Sequence, residues 1–277
     1  MRNRVVTSDS MARALLESDR RYFELGSTVD ALGGARIVWM PGMEKLPAAC
    51  VVHRVTPESI EERAGRWVHD VTRRTTDLGC ALARVYLDGP APLLEEALAA
   101  AGYRRRVEVG YLVEGRLPPV MYPARRDVEL REVVDEDGWE AKRKVHAGSE
   151  VAADGHANAS DAWVDFERRK CDTGGMRAFL VEVSGEACGC VASLEDHDLL
   201  RVKNLFVRAD RRREGIAAQV LRLLSERAGR LGLAATGTFG IDGKPGDAVY
   251  RHLGMTPVVS QIEWSLPLPA EMGTAPA

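Results

Sequence analysis

The sequence predicts an α/β chain of the mixed α+β kind, built as two modules, each a mixed and mostly antiparallel sheet flanked by helices. Three observations carry that expectation. Apolar β-type runs alternate with stretches whose apolar residues recur every three to four positions. The order strand, helix, strand, helix, strand occurs once before residue 115 and again near the end of the chain. The segment from Glu114 to Arg126, with Pro118-Pro119 and Pro123, suits a stiff exposed linker. The expected division is a first module over 1–115, a linker over 116–126, a second module over 127–266 and a flexible tail over 267–277.

In the first module Ala48 to Arg54 reads as a strand, and Pro57 to Thr76 as a helix with Ser59 and Glu61-Glu62 near its start. Cys80 to Leu87 reads as a strand, Pro92 to Ala101 as a helix and Tyr103 to Val113 as a closing strand. The second module opens with a strand over Asp127 to Val134, then helices over Asp137 to Val145 and Asp161 to Cys171. Arg177 to Val183 and Ala187 to Leu194 form a hairpin through Ser184-Gly185-Glu186. An apolar run from Val202 to Val207 enters a basic turn. A helix begins at about Glu214, with Ile216, Val220, Leu221, Leu223 and Leu224 on its apolar face. Leu233 to Ile241 follows as a strand, Ala248 to Leu253 as a short helix, and Thr256 to Leu266 as the last strand.

The turn before that helix is the most informative part of the chain. The first turn of a helix leaves backbone N–H groups without intrahelical partners, and the helix dipole adds roughly half a positive charge there. Phosphate oxygens fit such a vacancy. Gly215 and Ala217 let a ligand approach the backbone, because a larger side chain at either position would stand where a diphosphate must lie. Arg211, Arg212 and Arg213 add positive charge to the same rim.

Arg212-Arg213-Glu214-Gly215-Ile216-Ala217 resembles the Arg/Gln-x-x-Gly-x-Gly/Ala signature of the GNAT superfamily of acyl-CoA-dependent N-acyltransferases, and Tyr250-Arg251-His252-Leu253-Gly254-Met255 is similar to its later Tyr-x-x-x-Gly-Phe element. The resemblance covers Asp127 to Leu266 and follows the order of elements given above. It implies acetyl-CoA as co-substrate, its thioester arm lying between two splayed parallel strands. The arm's amides would pair with backbone from Leu205, Phe206 and Val207. Arg212, Arg213, Glu214, Gly215, Ile216, Ala217 and Ala218 would surround the diphosphate. The acceptor amine, once deprotonated, would attack the acetyl carbonyl directly, and Tyr250 matches the position that protonates the departing thiolate. A phenol suits that task, because a coenzyme thiolate is basic enough to take its proton near neutral pH. Any of Glu195, Asp196 and His197, clustered at the end of a strand expected to border the acceptor cleft, could be the general base, with Glu195 taken as the candidate; a solvated hairpin turn explains the same residues. Where many members carry an Asn ahead of the tyrosine helix, this chain has Ile241-Asp242-Gly243-Lys244-Pro245-Gly246-Asp247.

The first module repeats the second half of this pattern without its chemistry. Leu98-Ala99-Ala100-Ala101-Gly102-Tyr103 is similar to a worn tyrosine element, with Ala99 in the tyrosine's place. Val55-Thr56-Pro57-Glu58-Ser59-Ile60 stands where the signature would be: Pro57 lacks a donor, no glycine is present, and Glu58 would repel a phosphate. The reading is a tandem arrangement, with a degenerate GNAT-like half that holds no coenzyme and walls off one side of the acceptor pocket.

Composition bounds the rest. A net charge of -3 and a pI near 6.1 give no general attraction to nucleic acid or anionic membrane, and the runs Arg73-Arg74, Arg104-Arg105-Arg106 and Arg211-Arg212-Arg213 are short and offset by acids. No apolar run approaches the ~20 residues needed to cross a bilayer, and the N-terminus lacks an apolar signal core, so a cytoplasmic location is expected. The five cysteines are scattered, which argues for thiols rather than a disulfide framework, and neither Cys188-Gly189-Cys190 nor the spread histidines make a metal pattern. The polar segment Gly148 to Ser160 reads as a mobile flap; its Glu150 and Asp154, with Glu195 and Asp196, favour a small polar amine as acceptor, in a monomer or homodimer. An acyl-CoA-binding sensor or scaffold without turnover, and transfer of a longer acyl group, stand as alternatives.

Overall fold

A computed structural model describes residues 8–118, 125, 127–147 and 160–269. The chain forms two compact units: residues 1–25 with Val109–Val259, and Gly26–Glu108 with Ser260–Ala277. This division differs from a cut at the linker. The first 25 residues join the second module's unit, and the last strand is shared out, so each unit completes its sheet with a strand from the other half of the sequence.

In the larger unit, α1 (Ser8–Glu24) precedes a sheet in the order β5-β10-β9-β8-β7-β6, of which β5 (Arg104–Glu114) contributes its second half. β6 (Val128–Glu132), β7 (Met176–Val183), β8 (Glu186–Asp196) and β9 (Leu199–Val207) pair antiparallel in sequence, and β10 (Ala235–Ile241) lies parallel to β9. A parallel pair needs a crossover, which α6 (Ile216–Arg230) supplies. Helices α4 (Glu136–Ala147) and α5 (Ser160–Asp172) bury Trp139, Val145 and Val164 with Ala178 and Leu180 of β7. A short helix, α7 (Pro245–His252), leads into β11 (Thr256–Pro267). The expected strands and helices of the second module are all present, with ends moved by a few residues.

α1 has no counterpart in the sequence reading, and its composition explains the omission. Its buried stripe is Met11, Leu15, Ser18, Asp19, Tyr22 and Phe23, a helical spacing in which two of the six positions are polar. The helix packs so closely that a Cβ on Gly237 would stand 2.8 Å from Leu15 Cδ1, and one on Gly110 2.9 Å from Leu15 Cδ2.

The smaller unit holds β1 (Thr28–Ala31), β2 (Arg36–Trp39), β3 (Cys50–His53) and β4 (Leu82–Leu87) in that order, with the end of β11 antiparallel to β4. β1 and β2 turn through Gly33-Gly34 at φ 46° and 94°, the left-handed pair that a two-residue hairpin demands. Its core gathers Ile37, Val52, Ile60, Trp67, Val71, Val85, Leu94 and Leu98 with Ile262 and Trp264. The helix expected over Pro57 to Thr76 is corrected: Pro57–Ser59 and Glu61–Arg63 are separate 3-10 turns, and α2 begins only at Ala64, running to Asp77. Ser59 spends its hydroxyl on Thr56 O at 2.8 Å instead of capping a helix. α3 runs Pro92–Ala100.

Candidate active site

β9 and β10 pair only at their first residues, Leu199↔Ala235, Leu200↔Thr236 and Arg201↔Gly237. A side-chain bond from Thr238 Oγ1 to Val202 O at 3.4 Å continues the tie, and both strands run on beyond it. Burial changes at the same point. β9 is buried from Leu199 to Val202 and half-buried from Lys203 to Val207; β10 is buried to Thr238 and half-buried from Phe239 to Ile241. Two parallel strands thus lose cover together at their C-terminal ends, over the apolar residues Leu205, Phe206, Val207, Phe239 and Ile241. On the other edge, β8 partners Lys203 with Ala192 and Phe206 with Cys190, so β9 carries a bulge of one extra residue, with Asn204 left-handed at φ 53°. Gly189 is needed there, since its Cβ would fall 2.4 Å from Phe206 O.

The helix entrance follows directly. Arg213 (φ 66°) and the N-cap Gly215 (φ 77°) are left-handed, and no side chain caps α6. The first helical bond recorded is Gln219 N to Gly215 O at 3.1 Å, so the amides of Ile216, Ala217 and Ala218 precede any intrahelical donor. The arginines divide their work. Arg211 is held by Glu214 at 3.0 Å and Glu186 at 3.1 Å, so it braces the turn rather than serving as loose charge on the rim. Glu214 also pairs with Arg125. Arg212 donates from Nε to Val207 O at 3.1 Å and lies over the Phe206 ring; Arg213 is exposed.

Tyr250 sits on α7 with its ring close to Gly240 of β10, where an added Cβ would stand 2.9 Å from Cε2. Burial raises its phenol above the ordinary value; Thr238 and the charge of Arg201 pull weakly the other way. Tyr111 of β5 stacks obliquely on it at 5.5 Å between centroids and hydrogen-bonds Asp247, which anchors the first turn of α7. Asp247 comes from the very segment that departs from the expected Asn.

Glu195 stands elsewhere. It pairs with Leu200 at the closed end of the β8–β9 hairpin, and its carboxylate meets Arg227 at 3.0 Å and Arg177 at 3.7 Å. Arg227 is eleven residues along α6 from Ile216, about 16 Å at 1.5 Å per residue. Asp196 is buried against Arg21 of α1 at 2.6 Å, which occupies it too. The flap expected over Gly148 to Ser160, with Glu150 and Asp154, lies outside the described residues except for Ser160.

Sequence reasoning missed a polar cluster on the face of β9 covered by α1, α4 and α5. Asp19 of α1 bonds Arg201 at 3.0 Å and Lys203 at 2.9 Å, all three largely buried. Burial works against the Asp19 carboxylate, but Lys203 and Arg201 outweigh it and hold its pKa low. Lys170 donates to Tyr22 O at 2.6 Å and Leu25 O at 3.0 Å, closing the end of α1; burial and the nearby Lys203 depress it to about 7. Lys142 and Glu167 form a fully buried pair at 2.8 Å. Cys190 Sγ lies 3.1 Å from His146 Nε2, and that imidazole stacks on Phe206. Burial, then Lys142, lowers His146 to about 4, while burial raises Cys190 to about 11, so this is a neutral thiol and imidazole. The only signal in the sequence was the set of charged residues inside otherwise apolar elements. All five cysteines are free thiols. Among the described residues no cluster of His, Cys, Asp and Glu has the makings of a metal site, and no helix is long and apolar enough to cross a membrane.

Two parallel strands thus part beside an uncapped helix entrance within a mixed α/β fold. Comparison with known proteins shows which family model matches this region. Residues 145–255 match the model of the Acetyltransferase (GNAT) family. Among solved structures, a functionally unknown conserved protein from Staphylococcus epidermidis is similar at 10% identity and TM-score 0.63, over 88% of this chain and 96% of that one. A GCN5-related N-acetyltransferase from Kribbella flavida is similar at 16% identity and TM-score 0.62, over 97% and 98%. A tandem GNAT protein from the clavulanic acid biosynthesis pathway is similar at 16% and 0.54, over 93% and 89%. At such identities the likeness is one of fold. No curated protein matches the chain. The chain carries a GNAT-family acetyltransferase domain over residues 145–255, in a mixed α/β fold that supports acyl transfer.

Proposed function

We propose that this protein is an acetyl-CoA-dependent N-acetyltransferase that moves an acetyl group directly to the amine of a small molecule. The observation that carries the reading is the joint loss of burial along β9 and β10 beside the uncapped start of α6. Main-chain amides of Ile216, Ala217 and Ala218, which precede the first intrahelical donor, would take the paired phosphates, with Arg212 and Arg213 on the rim. The coenzyme arm would lie along Leu205, Phe206 and Val207, whose apolar side chains are half-buried. The deprotonated amine attacks the carbonyl carbon, the C–S bond breaks, the thiolate takes the Tyr250 proton, and the proton that the nitrogen sheds on becoming an amide restores the phenol. Burial favours the neutral phenol, which keeps that proton available at pH 7.

The smaller unit is read as a decayed copy with no coenzyme site of its own, and the protein as cytoplasmic. Calorimetry with coenzyme A, followed by thiol release from acetyl-CoA across a panel of amines, tests the proposal. Binding with turnover of at least one amine is expected. Binding with no productive amine would move the protein to the sensor reading, and absence of binding would end both.

A further inference from the structure

Asn204 does more than continue β9. Its left-handed backbone makes the bulge at the point where β9 has already left β10, and Asn is among the few residues other than glycine that accept this conformation cheaply. Its amide Nδ2 donates to Glu167 Oε1 at 3.0 Å and to Tyr22 Oη at 3.4 Å. The other carboxylate oxygen of Glu167 meets Lys142 Nζ at 2.8 Å, with both side chains wholly out of solvent. Burial works against the Lys142 ammonium, yet Glu167 and Cys190 together outweigh it and hold its pKa high. A buried ion pair adds little to stability, because the desolvation of two charges offsets their attraction; packed apolar residues often serve as well. Its presence behind the bulge calls for a different account.

Strand side chains alternate with a period of two, so one residue more or fewer in β9 would exchange the faces of Phe206 and Val207 and the edges to which their amides and carbonyls point. We propose that Asn204 is a positioning residue, held by the Glu167–Lys142 pair, that fixes the bulge and thereby aims the backbone of Leu205 to Val207 at the coenzyme's thioester arm. The proposal rests on the acyl-CoA reading above. It assigns the buried pair to one half of the coenzyme, the arm, and leaves the phosphates to α6.

The test measures affinity by calorimetry for two probes, acetyl-CoA and 3′-phosphoadenosine 5′-diphosphate, which carries the phosphates without the arm. Asn204→Ala and the double variant Glu167→Leu with Lys142→Met should each weaken acetyl-CoA about tenfold and leave the nucleotide within about twofold. Asn204→Gly, which keeps the left-handed backbone accessible but drops the tether, should show the same selective loss. Glu167→Gln with Lys142→Met retains an oxygen for Asn204 without either charge and should bind acetyl-CoA as the natural protein does. Unchanged acetyl-CoA affinity in Asn204→Ala and Asn204→Gly overturns the proposal, as does an equal loss of both probes. A natural protein that binds neither probe would fail the acyl-CoA reading itself, a result distinct from the other two.

Discussion

The two units make the same step, from strand through turn to helix and on to a parallel strand, with opposite chemistry. In the larger unit β9 passes through a basic turn and a left-handed Gly215 into α6, whose first amides have no side-chain cap. In the smaller unit β3 passes through two 3-10 turns that carry Glu58, Glu61 and Glu62 before α2 can start. Its strands differ as well. β3 is buried along its whole length, and β4 is paired from Leu82 to Leu87 with Pro267 to Ile262 of β11. Topology therefore supplies the opportunity for an anion site, and a few local residues decide whether the amides and the open strand edges are left available. Three carboxylates ahead of a helix repel the ligand that its dipole would attract.

The largest effect should come from making the active entrance resemble the inactive one. Ala217→Glu places a carboxylate on the first turn of α6 and is expected to weaken coenzyme A about a thousandfold, some 4 kcal/mol by calorimetry. Changing Glu61 and Glu62 together to Ala should leave that affinity unaltered. If the double variant weakened binding as much, the contrast between the units would be false. Tyr250→Phe comes next. Loss of a general acid should lower kcat about a hundredfold while coenzyme affinity stays the same. In the natural protein the acid form is the active one, so rate should hold through neutral pH and fall only as pH rises through the phenol's pKa. Burial puts that limb above the ordinary value near 10.

Gly240→Ala sharpens the same point by moving the phenol without removing it. The new Cβ would stand 2.9 Å from Cε2 and 3.2 Å from Cδ2 of Tyr250, so the ring must shift. A drop of about tenfold in kcat with an unchanged melting temperature is expected. An effect on melting alone would make Tyr250 a packing residue.

The uncapped entrance of α6 was legible in the sequence because a glycine, small residues and a strand-to-helix change are local signals. The splay was not legible from residues alone, since Leu205, Phe206 and Val207 look like any buried strand; only the resemblance pointed to it. α1 escaped because Ser18 and Asp19 occupy its inward face, and Asp19 is explained only by Arg201 and Lys203, some 180 positions away. The Lys142–Glu167 pair was hidden for the same reason. Charged residues within helices read as solvated faces until tertiary partners are known. Exchange of the closing strands between the units was beyond reach too, because alternation in β5 and β11 says that a strand forms and nothing about which sheet receives it.

Glu195 is where a local reading and the tertiary arrangement diverge, and its replacement should have the smallest effect. The cluster Glu195-Asp196-His197 suggested a base at a cleft, but Asp196 is spent on Arg21 and Glu195 on Arg227 and Arg177, at the hairpin end of β8 and β9. Glu195→Gln should change kcat/KM by less than about twofold and stability by no more than about 1 kcal/mol, the usual worth of a partly exposed ion pair. A fall of a hundredfold in kcat/KM, with an acidic limb removed from the pH profile, would restore Glu195 as the base and require the acceptor to reach the hairpin end of β8.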